Sequence, residues 1–188
     1  MLAEVATGLA LGLSLAVPPG PVNALIAREA VRGGTVAGLR AGYPAPVVDT
    51  AYMLLVLFGL PRILDIERFT PLFAGVGALL MLYLAWGTAR PQGETKPLAP
   101  GAVWLVTLSN PFQYAWWLSA GTAFLAATGG WGVVGFLVAI FGWVLVFSTL
   151  MARGATRWSW FPPLVTVLSA DGLLAFALLL ATQAAAHL

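Results

Sequence analysis

The chain has 188 residues, of which 60% are hydrophobic and only 9% charged, and its mean hydropathy is +0.91. A soluble domain of this size needs more charge to stay dissolved, while several apolar runs here reach the roughly 20 residues that cross about 30 Å of hydrocarbon. The net charge of +2 is too small to recruit nucleic acid, and the absence of cysteine excludes disulfides, iron–sulfur clusters and dithiol electron carriage.

In chain order, six apolar segments run approximately over 2–32, 36–60, 69–89, 100–127, 131–152 and 161–186. Met1-Leu2-Ala3-Glu4 lacks a basic lead-in and a small-residue cleavage site, so the first segment reads as a retained helix. It is interrupted by Pro18-Pro19-Gly20-Pro21, a run that cannot continue a regular helix. The second segment carries Pro44 and Pro46 and is expected to kink or unwind there. The fourth is interrupted at Asn110-Pro111. Arg32-Gly33-Gly34-Thr35 and Thr128-Gly129-Gly130-Trp131 read as tight turns, and Gly93-Glu94-Thr95-Lys96-Pro97 as the polar joint between halves.

Lysine and arginine fix an orientation. Loops one, three and five with their flanks hold Arg28, Arg32, Arg40, Arg90, Lys96, Arg153 and Arg157, against Arg62 and Arg68 in loop two and none in loop four. This places the odd loops in the cytoplasm and both termini outside, in a prokaryotic cytoplasmic (inner) membrane. Trp158, Trp160 and Phe161 beside Arg157 fit an interfacial aromatic belt. Three helices per half is an odd number, so the halves have opposite orientations. The expected fold is an all-α integral membrane protein, one transmembrane domain over 1–188. It comprises six helices as two inverted three-helix repeats, about 1–90 and 98–188, with helices 1 and 4 broken at the proline motifs.

At about 1.5 Å per residue, the break at Gly20 lies about 16–18 Å from the cytoplasmic end, Asn110 about 15 Å, Asp49 about 20 Å and Asp171 about 15 Å. Breaks and acids thus share the midplane, where transporters of this design place their sites. A carboxylate at that depth costs about 2.5–3.5 kcal/mol, so Asp49 needs a reason. It reads as a proton- or ion-coupling group, or else as a neutral acid bonded to a neighbouring helix. Asp171, in Ser169-Ala170-Asp171-Gly172, reads equally as a second coupling group or as the cap of a half-helix. The breaks expose helix N-termini that hold anions, so Pro19, Gly20, Pro21, Asn23, Asn110, Pro111 and Gln113 are candidate substrate-binding residues, with Trp116 as a wall. The bland alternative is a kink satisfied by adjacent helices. Trp117 is a wall candidate beside Trp116, and Tyr43, Tyr52, Tyr114 and Trp143 are comparable pocket candidates. Arg28-Glu29 reads as a surface or interhelical pair, and Gly8, Gly12, Gly75, Gly77, Gly135 and Gly142 as packing residues. With His187 the only histidine and no P-loop, nothing suggests an enzyme site, a catalytic residue, a metal or a cofactor.

Pro19-Gly20-Pro21, then Gly33/Gly34, Gly38 and Asp49, then Gly59-Leu60, resembles the N-terminal signature of the LysE/RhtB family of amino-acid exporters. The run from Gly77 to Trp86 resembles that family's third helix, and Leu108-Ser109-Asn110-Pro111 the Asn-Pro that opens its second half. Pro44 and Val48 stand about where the family has small glycines, and Phe112 and Gln113 follow Asn-Pro where lysine is common. The resemblance implies secondary-active, proton-coupled export of amino acids or related small metabolites, with alternating access around a midplane site. A divalent-cation exchanger and a non-transporting membrane scaffold are the competing readings. The partners expected are a small-molecule substrate and the lipid bilayer. Glycine-rich faces would serve a homodimer as readily as internal packing.

Overall fold

Proline chemistry divides the first part of the chain. The computed structural model describes residues 1–59, 75–76, 78–86, 101–110, 113 and 116–185, and these are helical apart from short joints. Helix α1, Leu2–Ala16, stops where Pro18 has no N–H to donate; Val17 is the last to reach back, to Leu13 O at 2.9 Å. Gly20 is extended (φ −157°, ψ 175°), and Pro21 opens α2, Pro21–Gly42, where a missing N–H costs nothing. The direction turns by 81° between α1 and the path from Pro21 to Leu57. Gly34 interrupts α2 at φ 77° and ψ −174°, a backbone open to glycine, at the turn expected there.

Helix α3 spans Pro44–Leu57. Its prolines do not unwind the chain as expected: Tyr43 keeps helical angles (φ −52°, ψ −36°) and donates to Leu39 O at 2.8 Å. Pro44 and Pro46 both fall in the first turn of α3, where N–H groups have no partner within that helix. Residues 78–86 are helical, and α4 covers Ala102–Leu108. The second break follows at Ser109 and Asn110; Pro111, both ends of the third apolar segment with Gly77, and the 93–97 joint lie outside the described residues. A π-helical turn, Trp117–Gly121, leads into α5, Thr122–Ala127. Extended Thr128 and Gly129 form the next joint. Then come α6, Gly130–Arg157, and α7, Phe161–Ala185.

Helix α6 and the Phe161–Leu179 part of α7 are each long and apolar enough to cross a membrane, and α1 with the path to Leu57 makes a third, broken candidate. The chain is thus all-helical, with two to three such spans among the described residues. Their outer faces carry exposed Val138, Leu145, Leu150, Val167, Leu168 and Leu178, as a lipid solvent requires. Trp158 and Trp160 stack 6.0 Å apart, and the Arg157 guanidinium lies 5.7 Å from the Trp158 ring. Arg28 and Glu29 pair at 3.9 Å, but both are buried, so the pair is not a surface one; Arg32 adds a second cation at 3.4 Å from the same carboxylate.

Helix α6 is the central post. Helix α1 lies against it with almost no side chain between them: a Cβ on Gly8 would strike Gly132 O, one on Gly135 would strike Val5 O, and one on Gly12 would come within 2.6 Å of the Ala139 Cβ. With no hydrophobic drive between helices in lipid, such close backbone contact is what holds them together. Two apolar cores complete the packing. Leu25, Met81, Val106 and Leu173 join α2, the 78–86 helix, α4 and α7, while Met53, Trp117, Phe124 and Phe136 join α3, the π turn, α5 and α6. Gly75 and Gly142, by contrast, meet nothing within 4 Å among the described residues, so the packing role expected of them is not exercised there. Gly8→Ala is therefore expected to lower stability by about 1–3 kcal/mol, the cost of overpacking. Gly142→Ala should leave the thermal unfolding of the solubilised protein unchanged or slightly improved.

Candidate functional site

Asp49 lies on the inner face of α3, with Val48 and Met53 buried beside it. Its Oδ1 accepts two hydrogen bonds, from Gln113 Nε2 at 2.5 Å and from Trp117 Nε1 at 3.0 Å. Gln113 and Trp117 are four residues apart, one helical turn, so both reach the same point from the segment that follows the second break. Edge-to-face contact with Phe136, at 5.4 Å between ring centroids, holds the Trp117 indole in place. Both bonds go to Oδ1. The second oxygen remains for a proton or a ligand.

Asn23 uses its amide differently. Its Nδ2 donates to Ala16 O at 2.8 Å and Pro18 O at 3.0 Å, carbonyls at the broken end of α1, while its Oδ1 accepts from Trp143 Nε1 of α6 at 3.2 Å. The extended backbone at Gly20 interrupts the helical ladder, so the carbonyls of Ala16 and Pro18 need donors from elsewhere. Asn23 takes over part of that duty and ties α1, α2 and α6 at one point. Its donors are committed to the backbone.

A cavity of about 180 Å³ lies between the two breaks. That is close to the ~150 Å³ of an engineered protein cavity that admits benzene, so it suits a small solute. Pro19, Gly20, Pro21, Asn23, Asp49, Asn110 and Gln113 all line it, so most of the candidates drawn from opposite halves of the sequence meet here. Trp143, Ile26 and Phe176 complete the apolar wall. Leu15, Ala16 and Ile140 belong to one core and Val22 and Phe176 to the other, so the cavity occupies the seam between the cores.

Other candidates fall elsewhere. Trp116 is stacked on Phe136 at 5.8 Å, outside the cavity lining; its neighbour Trp117 touches Asp49. Asp171 is exposed on α7 and also outside the lining. Because α7 runs unbroken from Phe161 to Ala185, no half-helix begins at Asp171 for it to cap. Pro111 lies outside the described residues. Sequence reasoning does not separate Trp117 from Trp116 and passes over Phe176. The four-residue spacing from Gln113 to Trp117 was a usable signal for the first; nothing distinguishes Phe176 from its apolar neighbours.

Broken helices meeting around a buried acid, in a chain with membrane-length apolar spans, define a polytopic helical membrane protein with an internal polar site. Residues 13–184 match the family described as LysE type translocator, and the chain belongs to that family. It is 31% identical over 136 residues to the Bacillus subtilis (strain 168) protein named "Putative amino acid efflux protein YcgF". That match covers 64% of this chain and 63% of the relative. No solved structure matches the chain significantly.

Trp117→Phe keeps the packing ring but removes one donor to Asp49, and is expected to cost about 1 kcal/mol of stability. The same substitution in an Asp49→Leu background should cost almost nothing. A penalty of equal size in both backgrounds, read by thermal unfolding as a double-mutant cycle, would mean that the indole acts by packing alone.

Proposed function

We propose that the protein is a secondary-active exporter of amino acids or related small metabolites, working by alternating access around the Asp49 cavity. The observation that carries this reading is the meeting of both proline breaks at one buried carboxylate in a cavity of small-solute size. Family membership and the relative's printed name support it.

The chemistry follows from the lining. The uncommitted oxygen of Asp49 suits a substrate ammonium, or a proton that takes its place when the substrate leaves; exchange of the two at one carboxylate couples export to proton entry. The first-turn N–H groups of α2, at Val22 and Asn23, have no helical acceptor and carry partial positive charge suited to the substrate carboxylate. Asn110 and Gln113 add amide groups, and Trp143 and Phe176 bound the apolar part. Asn23 serves by holding the break open rather than by donating to substrate.

The packing suggests which parts move. Glycine contacts bind α1 to α6, and α2 also packs on α6, while α3 packs on α4 and joins the π turn through Asp49. In this reading the second group rocks against the first, opening the seam to each side in turn. The arrangement belongs to six helices in two inverted repeats, in a prokaryotic cytoplasmic membrane with both termini outside. The divalent-cation alternative gains no support: among the described residues no three acidic, histidine or cysteine side chains converge, and Asp171 lies outside the cavity.

Proteoliposomes loaded with a panel of amino acids test the function. A pH gradient is expected to drive efflux of at least one of them, and Asp49→Asn to lower the gradient-driven rate at least about tenfold, the effect of losing roughly 1.4 kcal/mol or more of coupling. Undiminished gradient-driven efflux in Asp49→Asn at every pH would remove Asp49 from the mechanism. For topology, the cysteine-free chain allows single-cysteine labelling in intact cells: Thr128→Cys should react with an impermeant maleimide and Thr156→Cys should not.

A further inference from the structure

Asp171 has no part in the cavity, yet it occupies the centre of a membrane-length apolar helix. The inward face of α7 is a stripe of every fourth residue, Val165, Ser169, Leu173 and Ala177, all buried. Asp171 is two residues on from Ser169, about 200° round the helix, on the opposite face. There it is exposed among Val167, Leu168, Leu174 and Leu178, and among the described residues it makes no hydrogen bond or ion pair. It is ten residues from the start of α7, about 15 Å, too deep for its short side chain to reach the interface. Acids inside membranes face a bundle interior, a cavity or a partner group; an acid facing hydrocarbon is the costly exception.

What covers it must supply a polar complement at that depth. By sequence, every Lys and Arg of the chain lies at or near the end of an apolar segment, so a second copy offers no cation there. The other deep acid, Asp49, is buried and bonded within its own protomer. Among the described residues, the acid that a second copy presents on an exposed face at this depth is its own Asp171. A carboxylic acid carries one O–H donor and one carbonyl acceptor, so it is its own complement. Two copies in one membrane share an orientation, and a twofold axis along the membrane normal brings like residues face to face at equal depth. Nothing lies within 4 Å of where a Cβ on the adjacent Gly172 would sit, so the second helix can approach closely.

We propose that the Asp171 face of α7 binds a second copy of this chain, forming an isologous dimer closed by an Asp171–Asp171 carboxylic acid pair. This surface is separate from the cavity, so it stands or falls independently of the transport reading.

Dimerisation is measured by energy transfer between donor- and acceptor-labelled copies in liposomes, over a range of lipid dilution. The wild-type chain is expected to dimerise reversibly, and Asp171→Leu to raise the dissociation constant roughly fivefold to thirtyfold, the effect of one interhelical polar contact. Asp171→Asn keeps a donor and an acceptor and should stay within about threefold of wild type, well short of that loss. Leucine suits a lipid-facing position, so Asp171→Leu should unfold no earlier than wild type, which separates lost pairing from lost fold. Leu168→Cys, beside the acid, should form an intermolecular disulfide on mild oxidation, whereas Val138→Cys on the exposed face of α6 should not. A wild-type chain that stays monomeric, an Asp171→Leu chain that dimerises as tightly as wild type, or equal cross-linking at 168 and 138 would each overturn the proposal.

Discussion

A proline in a bilayer removes a backbone donor where no water can replace it. In lipid each unsatisfied carbonyl must find a protein partner or border a cavity, so irregular backbone at membrane depth survives where something is built around it. Pro18, Pro19 and Pro21 create that demand at one place, and Asn23 answers part of it by bonding Ala16 O and Pro18 O. The indole of Trp143 then anchors Asn23 to α6. The 81° bend, the position of α2 and the opening beside Gly20 all follow from where those bonds are made.

Asp49 is the counterpart on the other side of the seam. A buried carboxyl needs donors, and these come from residues 64 and 68 positions further along the chain, Gln113 and Trp117. Those bonds join α3 to the segment that follows the second break, so the acid organises packing as well as chemistry. The π turn at Trp117–Gly121 sits beside this contact. Gly121 leaves room for the indole, since a Cβ there would meet the Trp117 ring at 2.6 Å. The widened helical turn thus presents an indole N–H to a buried acid.

Features that follow from backbone chemistry were legible in the sequence. The breaks at Pro18–Pro21 and Asn110, the Gly34 turn and the Thr128–Gly129 joint are set by residues with few conformational choices. Pro44 and Pro46 misled because the number of prolines says less than their position: in the first turn of a helix they remove donors that the helix does not use. Rotation was harder to read. A soluble helix marks its buried face with apolar residues, whereas a membrane helix is apolar all round, so the sequence gives little sign of which side turns inward. The sequence therefore does not say which of Trp116 and Trp117 turns toward Asp49, and Phe176 looks like any of its apolar neighbours.

Asp49 and Asp171 separate depth from direction. Both lie near mid-membrane by residue count, and on depth alone they belong to one site. The structure turns Asp49 into a polar seam with two donors and Asp171 away from the buried stripe of α7. Small residues at every second turn alternate with Val165 and Leu173 in that stripe, and in lipid close contact rather than hydrophobicity selects the packed face. Ser169 and Ala177 are small and packed, as are Gly8 and Gly12 on α1, while exposed Ala175 shows that small size alone does not mark the packed side. For an acid in such a helix, its angle from the packed stripe therefore says more about whom it serves than its distance from the membrane surface. Measured that way, Asp49 serves its own protomer and Asp171 faces whatever lies outside it.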